Sequence, residues 1–92
     1  MNESEFRAAL VNEGFGDIEV RTVAANVHNQ GHSHAFDVRA LMLAGELTLS
    51  AQGTQATYRA GEIFSLPANC EHVEQFGPQG ATYLVGRRHA RP

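Results

Sequence analysis

Apolar positions in the first stretch of the chain recur at helical spacing. Phe6, Ala9 and Leu10 share one face between Asn2 and Gly14, and Ser4 is placed to cap the start. Glu3 and Glu5 put acids in the first turn, and Gly14 is a stop signal, so a short amphipathic helix is expected, too short to stand without a docking surface. From Ile18 the texture changes to short runs rich in Val, Thr, Leu and Tyr, punctuated by glycines at 31, 45, 53, 61, 77 and 80. That rhythm predicts strands over 18–27, 32–43, 46–50, 54–59, 63–66, 72–76 and 81–87. Leu47 and Leu49 alternate with Thr48 and Ser50, the signature of a half-buried strand, and Ala51-Gln52-Gly53-Thr54 reads as a hairpin turn. Pro67 ends a strand because it cannot donate to a ladder. Seven short antiparallel strands and one helix imply an all-β sandwich or small barrel, with residues 1–16 as helix and connector and 17–92 as the β-domain. The polar tail from Gly86, with Arg87, Arg88, His89, Arg91 and Pro92, is expected to fray.

Composition narrows the class. Ninety-two residues make one domain, and 42% hydrophobic with 18% charged residues is the balance of a folded globular chain. All seven basic residues are arginines, set against ten acids for a net charge of -3, so no broad positive surface follows a phosphate backbone and nucleic acid is a poor partner. The longest apolar run, 40–44, is far short of a membrane span, and no apolar signal segment follows Met1, so a cytoplasmic location is expected. The single cysteine, Cys70, excludes an intrachain disulfide framework.

Chemistry concentrates in the histidines. On a strand, His32 and His34 point to the same side with Cα atoms roughly 7 Å apart, close enough to reach one ion, and neutral imidazoles bind divalent first-row metals at roughly 2.0–2.2 Å. A third histidine, His72, opens another expected strand just after a proline-containing turn. The pattern Gly31-His32-Ser33-His34, followed by Gly45, and the later spacing of Gly61, Pro67 and His72 resemble the paired motifs of the cupin superfamily over roughly residues 20–87. Asn69 stands where the family usually has glycine, and asparagine also tolerates the left-handed conformation. The resemblance implies a cupin-like antiparallel sandwich, or jelly roll, with His32, His34 and His72 holding a divalent ion such as Fe, Zn, Mn or Ni.

The chain departs from the family at the fourth ligand of the first motif, usually Glu and sometimes Gln or His. Four residues beyond His34 lies Val38 and five beyond lies Arg39, neither a ligand. Strand parity sets His32, His34, Phe36, Val38, Ala40 and Met42 on one face and Asp37, Arg39, Leu41 and Leu43 on the other. Asp37 is then either an outward carboxylate pairing with Arg39 or Arg21, or a fourth ligand re-aimed by a bulge. Glu74 shares the parity of His72 and is either a strand-end rim residue or an inward acid/base or ligand. Cys70 is a small buried hydrophobe or a thiolate ligand, His28 an exposed or hydrogen-bonded residue, and His89 a solvated part of the tail.

Phe36, Val38, Ala40 and Met42 are expected to line a cavity for a small organic ligand, with Phe64 or Ile63, Tyr58 and Phe76 as further walls. Leu41 and Leu43 on the opposite face need cover, from Phe6 and Leu10 of the helix or from a second subunit, and the small size favours a homodimer. Two functional readings follow. One is a metal-dependent enzyme on a small molecule, in which the missing carboxylate favours dioxygenase-type oxidoreductase chemistry over isomerase or lyase chemistry, with Glu74 as acid/base. The other is a cupin that binds or senses a small ligand without chemistry.

Overall fold

The structure, a computed structural model, describes residues 1–89. Its elements are α1 (Glu3–Asn12), β1 (Gly16–Val23), β2 (His28–His32), β3 (Phe36–Ala51), β4 (Thr54–Arg59), β5 (Ile63–Leu66) and β6 (His72–His89). All strand pairings are antiparallel. Every strand of the sheet pairs with β3 or β6, and these two pair with each other from Phe36↔His89 to Ala51↔His72.

That long pair bends in the middle. The β3–β6 register shifts between Met42 and Ala44 and again between Gly45 and Leu47, where Gly45 faces Ala81 and Leu47 faces Phe76. Four residues of β6, 77–80, therefore stand opposite Glu46 alone, a wide bulge that folds the ladder over. One half of the ladder carries β1 and β5, and the other carries β2 and β4. The two halves are the layers of a sandwich, and the sheet does not close into a complete barrel. Their facing sides share one core that includes Val38, Ala40 and Met42 from one layer and Leu47, Leu49 and Phe76 from the other.

The bulge corrects the sequence reading in two places. Residues 32–43 and 46–50 are not two strands, and 72–76 and 81–87 are not two strands, because Gly45 (φ 74) and Gly80 (φ 69) take left-handed conformations inside continuous strands. Glycine there permits contact closer than any side chain allows: a Cβ at Gly45 would stand 2.0 Å from the Gly80 carbonyl oxygen. The first expected strand ends at Val23, and 28–32 form a separate strand that the glycine rhythm did not announce. The tail is also ordered further than expected, since β6 pairs with β3 out to His89; Arg91 and Pro92 lie outside the described residues. Other turns follow the residues that specify them. Gln52 (φ 52) and Gly53 (φ 77) form the β3–β4 hairpin with both central residues left-handed, and β5 stops before Pro67.

Helix α1 begins one turn-edge earlier than expected. Asn2, not Ser4, is the cap: its side-chain oxygen accepts from Glu5 N at 2.8 Å while the Glu5 carboxylate accepts from Asn2 N at 2.9 Å. This reciprocal pair satisfies donors that Ser4, already inside the first turn, cannot reach. Phe6 and Leu10, both fully buried, pack with Phe15 over Leu41 and Leu84, so the helix covers the outer apolar face without a second subunit. Gly86 lets it approach, because a Cβ there would meet Leu10 Cδ1 at 3.1 Å and Phe15 Cβ at 3.2 Å.

Candidate metal centre

His32, His34 and His72 converge: one ring nitrogen from each lies within 4.8 Å of the others. The route differs from the expected one. His32 is the last residue of β2 and His34 lies in the connection to β3, so the two are not same-side neighbours on one strand. Backbone links replace strand parity. β2 pairs His32 with His72 directly, and Asn69, left-handed at φ 63, donates its N–H to the His34 carbonyl at 2.7 Å. Asn69 therefore ties the second motif to the first.

The imidazoles are oriented for coordination. His32 Nδ1 lies 2.8 Å from the Gln30 carbonyl oxygen and His72 Nδ1 lies 3.1 Å from that of Cys70. A carbonyl only accepts, so each Nδ1 donates, and Nε2 is the ring nitrogen left to face a metal. His72 is 2% exposed, and its Nε2 is buried with no hydrogen-bond partner among the described residues. An orphaned acceptor of this kind is costly unless something binds it. Burial first, then the neighbouring His32 and His72, hold His34 below the usual imidazole range, which favours the neutral form that binds metal. Three imidazole nitrogens, one of them unpaired among the described residues, fit a divalent first-row ion.

Beside the histidines lies a cavity of about 70 Å³. Phe36 and Val38 line it, with Phe64, Leu66 and Val85 as further apolar wall. Ala40 and Met42 do not: at 0% and 1% exposed they lie deep in the core, toward the bend where the layers close together. Tyr58 and Phe76 belong to the same core and Ile63 packs toward the helix side, so of the further walls expected only Phe64 reaches the cavity. Glu74 lines the cavity, accepting from Asn29 Nδ2 at 2.8 Å and standing 3.9 Å from His32 Nε2.

The other candidates lie apart. Asp37 faces the opposite side, as parity predicts, but its partners are neither Arg39 nor Arg21. It accepts from Ala68 N at 2.8 Å and from Arg88 at 3.0 and 3.2 Å, while Arg39 pairs with Glu13. Cys70 Sγ lies toward the Glu71 carbonyl and is not one of the converging ligands. His28 is exposed and bonded to Gln75 and Gln30, and His89 lies 3.5 Å from Asp17. Besides the apolar Leu66 and Val85, three polar cavity groups escaped the sequence reading: Arg21, Tyr83 and Arg87. The alternation Ala81, Tyr83, Val85, Arg87 marks a single face of β6 and could have found the last two.

No protein-family model and no curated protein sequence matches the chain. Solved structures do. A protein of unknown function from Rhizobium leguminosarum superposes with a TM-score of 0.74 at 22% identity over 79% of this chain and 69% of its own. An RmlC-like cupin from Shewanella frigidimarina gives 0.68 at 19% over 80% and 66%, and a cupin superfamily protein from Desulfitobacterium hafniense gives 0.70 at 16% over 79% and 66%. The chain has the cupin fold. In both named cupins the match spans just under two-thirds of the neighbour's length. Within this cupin domain the histidines sit at the end of β2, in the β2–β3 connection and at the start of β6.

Asp37 gives the cupin domain an acid-sensitive fastening. The Ala68 N–H, then the Arg88 guanidinium, hold its carboxyl below the usual carboxylate range. The folded state thus takes up this proton less readily than the unfolded chain. The stabilisation is complete above the unfolded value and is lost as pH falls below roughly 4. Asp37→Asn is expected to flatten the fall in stability on acidification; urea midpoints for both proteins between about pH 3 and 6 measure it, and identical slopes contradict it.

Proposed function

We propose that this chain is a metal-dependent enzyme acting on a small organic molecule, with His32, His34 and His72 holding a divalent transition ion. The observation that carries this reading is the buried, unpartnered Nε2 of His72 facing two further imidazoles. Bound there, such an ion supplies Lewis acidity and a lowered pKa for water, and iron would add oxidoreductase chemistry with dioxygen. Among the described residues the converging group is three histidines without Asp37 or Glu74, and that donor set supports a dioxygenase-type reaction over isomerase or lyase chemistry. Phe36 and Val38 give the cavity apolar wall, and Glu74, which accepts a hydrogen bond from Asn29, would take or return a proton.

The reading includes a cytoplasmic homodimer, since a domain this small buries only roughly 60–65% of its unfolded surface alone. No helix among the described residues is long and apolar enough to cross a membrane. Elemental analysis of natively purified protein tests the central point. About one transition-metal ion per chain is expected, lost in His34→Ala. Metal-free wild type that takes up no ion on reconstitution, or an unchanged content in the variant, contradicts it.

A further inference from the structure

Two arginines converge on the cavity from neighbouring strands. The β1–β6 register sets Arg21 opposite Tyr83, and Arg87 follows Tyr83 on the same face of β6. The Arg87 guanidinium lies over the Phe36 ring at 5.6 Å, and that ring stacks on His34 at 4.8 Å with 14° between planes. One aromatic ring therefore separates a fixed cation from the candidate metal ligands.

The arginines are weakly satisfied. Among the described residues both approach only Glu19, Arg87 Nη2 at 3.6 Å and Arg21 Nε at 3.9 Å, beyond hydrogen-bond length, and the Glu19 side chain is 51% exposed. The carboxylate that lines the cavity, Glu74, is already engaged by Asn29 and beside His32. The site thus offers guanidinium donors to an anion, and their planar fork matches a carboxylate. Phe64, Leu66 and Val85 add an apolar wall that an inorganic oxyanion would leave unused. The cavity, at about 70 Å³, is far below the roughly 300 Å³ at which drug-sized pockets begin.

We propose that the cavity binds a short-chain organic acid, its carboxylate on Arg87 and Arg21 and its hydrocarbon body against Phe64, Leu66 and Val85. This rests on the reading of the cavity as the substrate pocket of a metal centre, and it names the class of substrate.

Calorimetric titration of the full chain, Co²⁺-loaded and chelator-treated, with propionate, butyrate, butyramide and inorganic phosphate tests it. Saturable binding of propionate or butyrate is expected, with the neutral butyramide about tenfold weaker or more. Arg87→Gln should weaken the acids about tenfold, Arg21→Gln less, and Arg87→Lys should recover part of the loss, all with Co²⁺ content unchanged. Absence of saturable acid binding, equal binding of butyramide, or indifference to Arg87→Gln overturns the proposal. Phosphate binding as tightly as butyrate also overturns it, in favour of an inorganic oxyanion site. Arginine-dependent acid binding in a protein that takes up no Co²⁺ supports the acid site and removes the metal reading, whereas Co²⁺ uptake without acid binding does the reverse.

Discussion

Replacing His72 by leucine is expected to leave the metal-free protein as stable as wild type or more so, while abolishing all stabilisation by metal. In the metal-free fold the buried Nε2 of His72 has no partner among the described residues, an arrangement that costs about 1–3 kcal/mol. Leucine removes that orphan and fills most of the same space with carbon, against which stands the loss of the Nδ1 bond to the Cys70 carbonyl. These effects nearly cancel. With metal at about a hundred times its dissociation constant, wild type gains about 2.7 kcal/mol, a rise in melting temperature on the order of 10–20 °C for a domain of this size. The variant, short of one of three ligands, should lose more than the roughly 10–100-fold in affinity that removal of an outer-shell partner costs. Thermal melts with and without Zn²⁺ after chelation check both halves. A leucine variant that is several kcal/mol less stable without metal, or that gains as much from Zn²⁺ as wild type, contradicts the assignment.

Gly45→Ala should be among the most damaging single-methyl substitutions in the chain. Alanine at φ 74 costs about 1–2 kcal/mol in backbone strain. The added Cβ would also meet the Gly80 oxygen at 2.0 Å and Ala81 Cα at 2.8 Å, both backbone atoms that cannot rotate away. Separating the strands there adds about 1–3 kcal/mol, for a total of about 2–5 kcal/mol. Gly53→Ala supplies the control, because Gly53 has a similar φ of 77 with nothing within 4 Å of its would-be Cβ. It should cost about 1–2 kcal/mol, the strain alone. Urea denaturation of the two variants separates strain from contact, and equal losses would refute the account of the bend.

These glycines also mark where the sequence stopped being legible. A glycine between two alternating runs reads as a turn, and at Gly53 it is one. At Gly45 and Gly80 the same residue type serves a bulge inside a continuous strand, and only the partner strand distinguishes the two cases. Inward and outward positions along 36–42 were readable, since Val38, Ala40 and Met42 join the inner core and Leu41 the helix-covered cluster. Parity could not be carried across the bend: the inner residues of β6 are even-numbered through Phe76 and odd-numbered from Ala81. Arg87 closes the expected 81–87 strand and also counts in the polar tail, and its place on the cavity face with Tyr83 needs the register beyond the bend. The three histidines were visible from motif spacing alone. The means of their convergence, a β2–β6 pairing and the Asn69 bond to His34, depends on contacts between distant segments.

The unbroken β3–β6 ladder has a kinetic consequence. Its pairings join residues far apart in the chain, from Phe36 with His89 to Ala51 with His72, so loop closure must precede most of the contacts that reward it. Such topologies fold in milliseconds to seconds, slower than helical chains of equal length. Because β2 must also find β6 before His32 meets His72, the three nitrogens come together late. A chain still emerging from synthesis holds His32 and His34 without their buried partner, and acquires the complete ligand set only when β6 has docked.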